Sequence, residues 1–255
     1  MSETTKPSWL VDEPFVDTDL GVLRSGKEAQ IDLIERTGGG ELGRSCLLVR
    51  KWYLPRSVTR KGQLEALGMQ KASAFRHDVQ YREGRQFRKS RDRRAVEQMT
   101  THGKRLLQDR WTSHEHDVMA KLWRAGVTVP YPVSFDDDRF LLEYVGHREV
   151  AAPQLARARL HGRDLAAAAD QLIDGLRAIT AAGWAHGDLS AYNLLWWEDR
   201  LWFIDFPQAV DLAANPRGLD FLHRDVTNVC RWFDRRGLDL DPEALFAELL
   251  AVISW

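Results

Sequence analysis

The spacing of apolar positions changes along the chain, from short strand-like runs near the start to helical spacing near the end. Apolar runs at residues 21–26, 29–34 and 47–53 are separated by glycine-containing turns and are predicted to be strands. Residues 1–18, ahead of the first run, are predicted to form an irregular lead-in. The pattern therefore predicts a β-rich beginning to the fold.

Helical spacing begins after residue 110. Trp111, Val118, Leu122 and Trp123 lie at roughly helical intervals, and Gly126 is a suitable residue to end the helix. The later part of the chain is predicted to be mostly helical, with a few short strands. The remaining predicted elements are an extended segment at residues 127–132, strands at residues 139–145, 194–197 and 201–204, and helices at residues 152–161, 164–182, 217–235 and 242–253.

Strands followed by helices predict an α+β fold with two lobes. The β-rich N-terminal lobe is predicted to cover residues 19–145 and to carry a basic insert, helical or flexible, at about residues 55–110. A mainly helical, shortened C-terminal lobe is predicted for residues 146–255, with the join near Gly146. A cleft between two lobes is the expected place for a nucleotide.

The composition permits a folded core and disfavours two broad classes of protein. Apolar residues make up 44% of the 255 residues, and the net charge is −1. These values argue against global disorder and against a generic nucleic-acid binder, which is usually basic overall. The charge is uneven, because residues 50–110 hold 17 Lys or Arg and 6 Asp or Glu, a local charge of +11. That stretch is interpreted either as a surface for an anionic ligand or partner, or as a solvated helical face.

Cysteine usage and hydropathy favour the cytoplasm. Cys46 and Cys230 lie far apart, each in an apolar run, so buried free thiols are expected rather than a disulfide or a zinc site. The first residues are polar, and no apolar run approaches the ~18–20 residues that are needed to span a membrane. We therefore expect a cytoplasmic protein without a membrane partner.

The strongest chemical signal lies between His186 and Asp205. Asp188 and Asn193 are five residues apart on one predicted loop, and Asp205 follows an apolar strand. Phosphoryl transfer from ATP requires an aspartate that orients the acceptor hydroxyl, and oxygen ligands that hold a divalent metal against the phosphates. Asp188 fits the first role, and Asn193 and Asp205 fit the second. Ordinary polar residues around a hairpin are the alternative interpretation, which the complete pattern disfavours.

Two features nearer the N-terminus fit the same chemistry. A turn with Ser25, Gly26 and Lys27 between two predicted strands can bring backbone N–H groups and a cation to phosphate, although polar hairpins of this kind are common. Lys51 lies on a predicted strand whose alternation can direct it into the cleft, and its expected partner is Glu115 on the next helix. An exposed strand lysine is the alternative interpretation of Lys51.

Together these residues resemble the RIO family of atypical protein kinases. Residues 81–91 also look similar to bacterial members of that family. The resemblance extends over about residues 19–235 and implies a two-lobed protein-kinase-like fold. The matching segments are Ser25-Gly-Lys-Glu-Ala29, His186-Gly-Asp-Leu-Ser190 with Asn193, Ile204-Asp-Phe-Pro-Gln-Ala-Val210, and Phe221-Leu-His-Arg-Asp-Val-Thr-Asn-Val229 followed by Trp232-Phe233.

The resemblance implies a serine/threonine protein kinase that uses ATP and Mg²⁺, with Mn²⁺ as an alternative metal. The acceptor would be a protein hydroxyl or the kinase itself, since some members act mainly as ATPases that form a phosphoaspartate at the position of Asp205. The implied site residues are Asp188 and Lys51 for catalysis; Asn193 and Asp205 as metal ligands; Ser25, Gly26 and Lys27 in the nucleotide loop; Lys51 and Glu115 as an ion pair; and Glu143 and Val145 as backbone contacts of adenine at the hinge.

The sequence departs from the family pattern at a few positions. Arg50 stands beside Lys51 where a small residue is expected, and residues 55–75 form a longer link than usual. Gly187 matches the family but differs from ordinary protein kinases, which have there an arginine that binds an activation-loop phosphate, so no regulation of that kind is expected. Arg224-Asp225 is interpreted as a structural pair.

Other functions fit parts of the pattern. Small-molecule phosphotransferases of the aminoglycoside or choline kinase type share the His-Gly-Asp and Ile-Asp-Phe segments, but the 50 residues after Asp205 leave little room for their substrate-binding subdomain. A non-catalytic scaffold is disfavoured because the acidic catalytic positions are present, whereas a slow ATPase that acts as a switch stays open. Eukaryotic and archaeal RIO kinases act in ribosome maturation, so the basic stretch at residues 50–110 makes a ribosome or RNA partner a further expectation.

Overall fold

The computed structural model describes residues 6–12, 14–26, 29–39, 43–53, 94, 101–136, 139–148 and 150–253. Two predicted features therefore lie outside the described residues: Lys27 of the turn, and most of the basic insert at about residues 55–110. None of the helices in the described ranges is long and apolar enough to cross a lipid bilayer.

In the described residues, the first half of the fold is a five-stranded antiparallel sheet with one long helix. The strands lie in the order β1-β2-β3-β5-β4. Helix α1 falls between β3 and β4 in the chain and packs against β3, β4 and β5. The elements are β1 (Phe15–Ser25), β2 (Ala29–Gly38), β3 (Ser45–Tyr53), α1 (Thr101–Arg124), β4 (Pro132–Asp136) and β5 (Arg139–Glu143).

The two faces of this sheet have different partners. Cross-strand neighbours in an antiparallel sheet share a face, because side chains alternate along each strand. Ile31 lies opposite Lys51 on one face, whereas Ile34 lies opposite Leu48 on the other. The second face is covered by Leu10, which forms a small buried cluster with Ile34 and Leu48. Lys51 is thereby directed away from this covered face.

Strand β1 begins inside the segment that was predicted to be an irregular lead-in. Phe15 pairs with Gly38 and Asp17 pairs with Arg36, so the end of residues 1–18 completes the edge of the sheet. Aspartate is disfavoured in strands, which conceals this strand in the sequence pattern. An ion pair explains why the strand tolerates it, since Asp17 Oδ1 accepts from Arg36 Nε at 2.7 Å.

The second half of the fold is mainly helical. Helix α2 shows why, because its buried positions Leu165, Ala168, Leu172, Leu176 and Ile179 recur every three or four residues. This apolar face packs against β8, β10 and helix α4. The elements are β6 (Gly146–His147), β7 (Val150–Ala151), α2 (Gly162–Ala181), β8 (Trp184–Ala185), β9 (Leu194–Trp197), β10 (Arg200–Phe203), β11 (Val210–Asp211), α3 (Gly218–Asp234) and α4 (Pro242–Ala251).

The predicted helix at residues 152–161 is wrong. Only Leu155–Arg157 form a single 3₁₀ turn. The Ala156 N–H donates to the Ala191 carbonyl at 2.8 Å, so this segment bonds to a neighbouring loop instead of to itself. Tertiary contacts have overridden its helix propensity.

The α+β class is confirmed, with the sheet in the first half and the helices in the second. Strand β4 was not predicted, because Pro132 marks its start and suggested only an extended segment at residues 127–132. Its pairing with β5 depends on the tertiary fold.

Gly175 provides a test of the packing between α2 and β10. A Cβ at this position would lie 2.3 Å from Cε2 of the Phe203 ring. Gly→Ala in a helix usually stabilises by up to ~1 kcal/mol, but we expect Gly175→Ala to lower the free energy of unfolding by about 1–3 kcal/mol because the ring must move. Urea unfolding measures this. The control is the exposed Asp170→Ala on the same helix, expected within about 0.5 kcal/mol of the parent; a stabilised Gly175→Ala protein would contradict the packing.

Candidate active site

Three predicted site residues lie on two adjacent loops of the second half. Asp188 and Asn193 are on the loop between β8 and β9, and Asp205 follows β10. The Ile204 N–H donates to the Asn193 carbonyl at 3.1 Å, which joins the two loops. The fold therefore brings together the residues that the motif separates in sequence.

Asn193 is held within its loop by two hydrogen bonds. Its N–H donates to the Ser190 carbonyl at 2.9 Å, and its side-chain Nδ2 donates to the Asp188 carbonyl at 2.8 Å. The second bond explains the five-residue spacing, because the Asn193 side chain reaches back across one turn of the loop. With Nδ2 used in this way, the side-chain oxygen Oδ1 is the atom of Asn193 that a ligand can use.

His186 ties the same two loops together from inside the core. Its ring is 1% exposed, and Nε2 lies 3.0 Å from the Ile204 carbonyl. Because a carbonyl oxygen can only accept, the Nε2–H is the donor. The ring also lies 4.5 Å, centroid to centroid, from Phe206. The histidine of the motif therefore positions the loop that carries Asp205.

Gly187 occupies a place that no other residue fits. Its φ is +81°, and a Cβ would lie 2.1 Å from the Gln208 carbonyl oxygen. The Gly187 N–H donates to Asp225 Oδ2 at 2.7 Å, and its carbonyl accepts from Arg224. The absence of an arginine from this motif position thus follows from the close approach of the loop after Asp205.

Asp225 anchors the loop that carries Asp188. It is fully buried on helix α3, and its two oxygens accept from the N–H groups of Gly187 at 2.7 Å and Leu189 at 2.9 Å. These donors flank Asp188 on either side. The interpretation of Arg224-Asp225 as a structural pair agrees with these contacts.

Lys51 connects three separate elements. Its Nζ donates to Glu115 Oε1 at 2.7 Å and Oε2 at 2.9 Å, and to Asp205 Oδ1 at 2.6 Å. Glu115 in turn accepts from the Phe206 N–H at 3.0 Å. Lys51 is only 6% exposed, so the alternative of an exposed strand lysine is wrong. Strand β3, helix α1 and the loop after β10 thus meet at one buried ammonium group.

The predicted nucleotide turn lies at the end of β1. Ser25 closes the strand, and the Gly26 N–H donates to the Ala29 carbonyl at 2.9 Å, which closes the hairpin. This N–H group is therefore engaged within the turn rather than available to phosphate. Ser25 and Gly26 are exposed, and Lys27 is not among the described residues.

Glu143 and Val145 lie where the sheet joins the helical half. The Glu143 N–H donates to the Tyr131 carbonyl, and its Oε2 accepts from the Tyr131 N–H, both at 2.9 Å. The Val145 carbonyl accepts from the Ala152 N–H at 3.0 Å. The Glu143 side chain thus stabilises the end of β5 by its hydrogen bond to Tyr131. The predicted contacts with adenine would therefore come from backbone atoms.

The sequence model of the RIO domain family matches residues 70–245, more than half of the chain. The chain belongs to the RIO domain family. A protein-kinase-like fold follows from this membership, with the sheet as the N-terminal lobe and the helices as the C-terminal lobe.

Relatives of this RIO domain are serine/threonine-protein kinases. The RIO-type serine/threonine-protein kinase Rio1 of Thermoplasma acidophilum is 34% identical over 135 residues, 53% of this chain and 69% of that protein. Rio1 of Haloferax volcanii is 30% identical over 237 residues, 93% of this chain and 70% of that protein. The human serine/threonine-protein kinase RIO3 is 33% identical over 129 residues, 50% of this chain and 25% of the human protein. The chain thus matches only about a quarter of its human relative.

These relatives confirm the predicted RIO-type kinase, and they give no support to the alternative of a small-molecule phosphotransferase. The three relatives described are archaeal and human, so the likeness to bacterial members stays a prediction. Membership of the family implies that the domain binds ATP, as a rule with a divalent metal ion, and phosphorylates a protein or itself.

The two carboxylates of the RIO site have opposite pKa shifts. Burial raises the pKa of Asp188 above its ordinary value, although the charges of His186 and Arg224 oppose this. Partial burial would also raise the pKa of Asp205, but the charge and hydrogen bond of Lys51 lower it below the ordinary value. Asp188 is therefore the more basic group, as a proton acceptor requires, and Asp205 is held as an anion.

The sequence motif did not assign roles to two residues that shape the RIO site, and it gave Asp225 only a general structural role. His186 and Phe206 belong to the matching segments, but only the fold shows that they position the Asp205 loop. Asp225 carried a readable signal, since it stands among Phe221, Val226 and other apolar positions on the buried face of α3. An acidic residue on such a face requires partners.

Asp225→Ala tests the anchoring of the Asp188 loop. Without the carboxylate, two buried N–H groups lose their acceptors, so we expect the free energy of unfolding to fall by about 2–5 kcal/mol. Asp225→Asn keeps one acceptor oxygen, so its free energy of unfolding should fall by less than that of Asp225→Ala. Chemical denaturation and hydrogen exchange at Gly187 and Leu189 measure the change. Asp234→Ala, at an exposed position of the same helix, is the control; equal stabilities of the Asp225 and Asp234 variants would disprove the anchoring role.

Proposed function

We propose that this RIO domain is an ATP-dependent serine/threonine protein kinase that transfers the γ-phosphoryl group to a protein hydroxyl or to itself. The observation that carries the proposal is the convergence of Lys51, Glu115 and Asp205 at hydrogen-bonding distance, although they come from three distant parts of the chain. Phosphoryl transfer depends mainly on positioning and charge neutralisation, and this arrangement supplies both.

The nucleotide would lie between the two lobes. Lys51, oriented by Glu115, would supply positive charge to the α- and β-phosphates. The turn at Ser25, Gly26 and Lys27 would lie over the phosphates, and the backbone of Glu143 and Val145 would contact adenine. The first of these roles is supported by the buried ion pair. The other roles are supported by the position of Ser25 and Gly26 at the end of β1, and of Glu143 and Val145 at the junction of the lobes.

Asn193 and Asp205 would hold a divalent metal, with Mg²⁺ proposed and Mn²⁺ as the alternative. Asn193 can offer Oδ1, and Asp205 can offer Oδ2 because Lys51 contacts Oδ1. Hard cations prefer such oxygen ligands, and magnesium usually needs only one or two from the protein because phosphates and water complete its shell. Among the described residues no larger cluster of His, Cys, Asp or Glu is arranged to hold a metal. When bound, the metal would neutralise charge on the phosphates.

Asp188 would act as the proton acceptor. As the acceptor hydroxyl oxygen forms its bond to the γ-phosphorus, the bond from that phosphorus to the β-phosphate oxygen breaks, ADP leaves, and the hydroxyl proton passes to Asp188. The raised pKa of Asp188 and the rigid support of its loop by Asp225 favour this role.

A second candidate function is an ATPase switch in which Asp205 itself takes the phosphoryl group. The Asp205 side chain is 45% exposed, so a nucleotide can reach it. Its lowered pKa keeps it ionised, and an ionised carboxylate needs no base to act as a nucleophile.

Two further proposals concern the partner and the cellular location of the protein. A ribosome or RNA partner is supported only by the charge of +11 in residues 50–110. A cytoplasmic location is supported by the two cysteines, Cys46 and Cys230, which are both unpaired. Burial raises the pKa of Cys230 to about 11, so this thiol is inert at neutral pH.

Labelled ATP tests the proposed chemistry. Purified protein is incubated with γ-labelled ATP and Mg²⁺, and both phosphate release and label on protein are measured. We expect Asp188→Asn and Asp205→Asn each to lose about 10²-fold or more of the transfer rate. Asp199→Asn, in the exposed turn between β9 and β10, is the control and should match the parent, because asparagine tolerates the positive φ of 57° found there.

The form of the label separates the two candidate functions. Label on serine or threonine, lost in Asp188→Asn, supports the protein kinase. Label that hydroxylamine releases, and that is lost in Asp205→Asn, supports the phosphoaspartate switch. Transfer and hydrolysis that survive both substitutions unchanged would show that these residues do not carry the reaction.

A further inference from the structure

A bulge near the end of β1 determines where Arg24 points. Val22 lies opposite Asp32, and Arg24 lies opposite Ile31, so one residue of β1, Leu23, has no counterpart on β2. An extra residue of this kind shifts every following side chain to the other face of the strand. Without it, Arg24 would lie opposite Gln30, on the face that carries Asp32.

The bulge places Arg24 in the same cross-strand row as Lys51. Arg24 lies opposite Ile31, and Ile31 lies opposite Lys51. Residues in such a row share a face, and adjacent strands are about 4.8 Å apart, so the Arg24 and Lys51 Cα atoms lie on the order of 10 Å from each other. An arginine side chain spans most of that distance. Arg24 therefore lies on the edge strand, on the same face of the sheet as Lys51.

The position of Asp205 agrees with this placement, because Arg24 is one of the cations whose charge acts on that carboxylate. Arg24 is exposed, and within the described parts of the chain no carboxylate forms an ion pair with it. Its charge therefore lies on the Lys51 face of the sheet without a fixed partner among the described residues.

We propose that Arg24 binds the terminal phosphate of the nucleotide and makes the site prefer a triphosphate to a diphosphate. This inference rests on the proposed function of the cleft. A metal held by Asp205 would bring the phosphates close to this carboxylate, and a guanidinium can donate two parallel hydrogen bonds to phosphate oxygens. Lys51 is already engaged by Glu115. Arg24 has no such partner among the residues that the structure describes, so it can adapt to the γ-phosphate.

Calorimetric titration of Arg24→Gln tests the preference. ATP, ADP and adenosine are titrated in the presence of Mg²⁺ into the parent protein and into Arg24→Gln, Arg24→Lys and the control Arg235→Gln. We expect Arg24→Gln to weaken ATP binding by about 10- to 100-fold, ADP binding by less, and adenosine binding not at all. The ATP affinity of Arg24→Lys should lie between those of the parent and Arg24→Gln, because lysine keeps the charge but cannot donate two parallel hydrogen bonds. Arg235 is exposed at the end of α3, and its substitution should change nothing.

The outcomes distinguish this inference from the function on which it rests. Equal loss for all three ligands, or no loss for ATP, would overturn the role of Arg24 while the parent protein still binds ATP. A parent protein that fails to bind ATP would overturn the proposed function itself, and the inference with it. Arg24→Lys is the control for a folding defect, because lysine preserves the long aliphatic side chain and the positive charge.

Discussion

The buried ion pair between Lys51 and Glu115 is the interaction on which the rest of the site depends. The two side chains are 8% and 1% exposed, and removing such charges from water costs several kcal/mol per ion before their attraction is counted. Further hydrogen bonds offset that cost: the Lys51 ammonium also binds Asp205, and Glu115 also accepts from the Phe206 N–H. Strand β3, helix α1 and the loop after β10 are therefore fixed relative to one another by a single group of charges.

The C-terminal lobe meets this group with a loop that is supported independently. Asp225 holds the backbone on both sides of Asp188, and His186 ties that loop to the one that carries Asp205. The close approach at Gly187 leaves no room for a side chain. The sheet thus carries the cations Lys51 and Arg24, helix α1 carries the carboxylate of Glu115, and the helical lobe carries Asp188, Asn193 and Asp205.

Much of the site could be predicted because its signals are local in sequence. The spacing around Asp188 reflects a hydrogen bond within one loop, and the direction of Lys51 follows from strand alternation. What the sequence could not show depends on partners far along the chain. The helix predicted at residues 152–161 does not form, because the Ala156 N–H donates to the Ala191 carbonyl of a neighbouring loop. The bulge at Leu23 is visible only from the pairing register of β1 and β2. The sequence indicated a structural role for Asp225, but only the fold shows that its carboxylate accepts from the N–H groups on either side of Asp188.

Glu115 is expected to support phosphoryl transfer through Lys51, and a double-mutant cycle tests this dependence most directly. The transfer rate from ATP is measured for the parent, Lys51→Met, Glu115→Gln and the double variant; glutamine keeps an acceptor for the Phe206 N–H. If the two residues act as one unit, the double variant should lose no more than Lys51→Met alone. If the fold-losses of transfer rate in the two single variants multiply in the double variant, as for independent residues, then Glu115 does not act through Lys51.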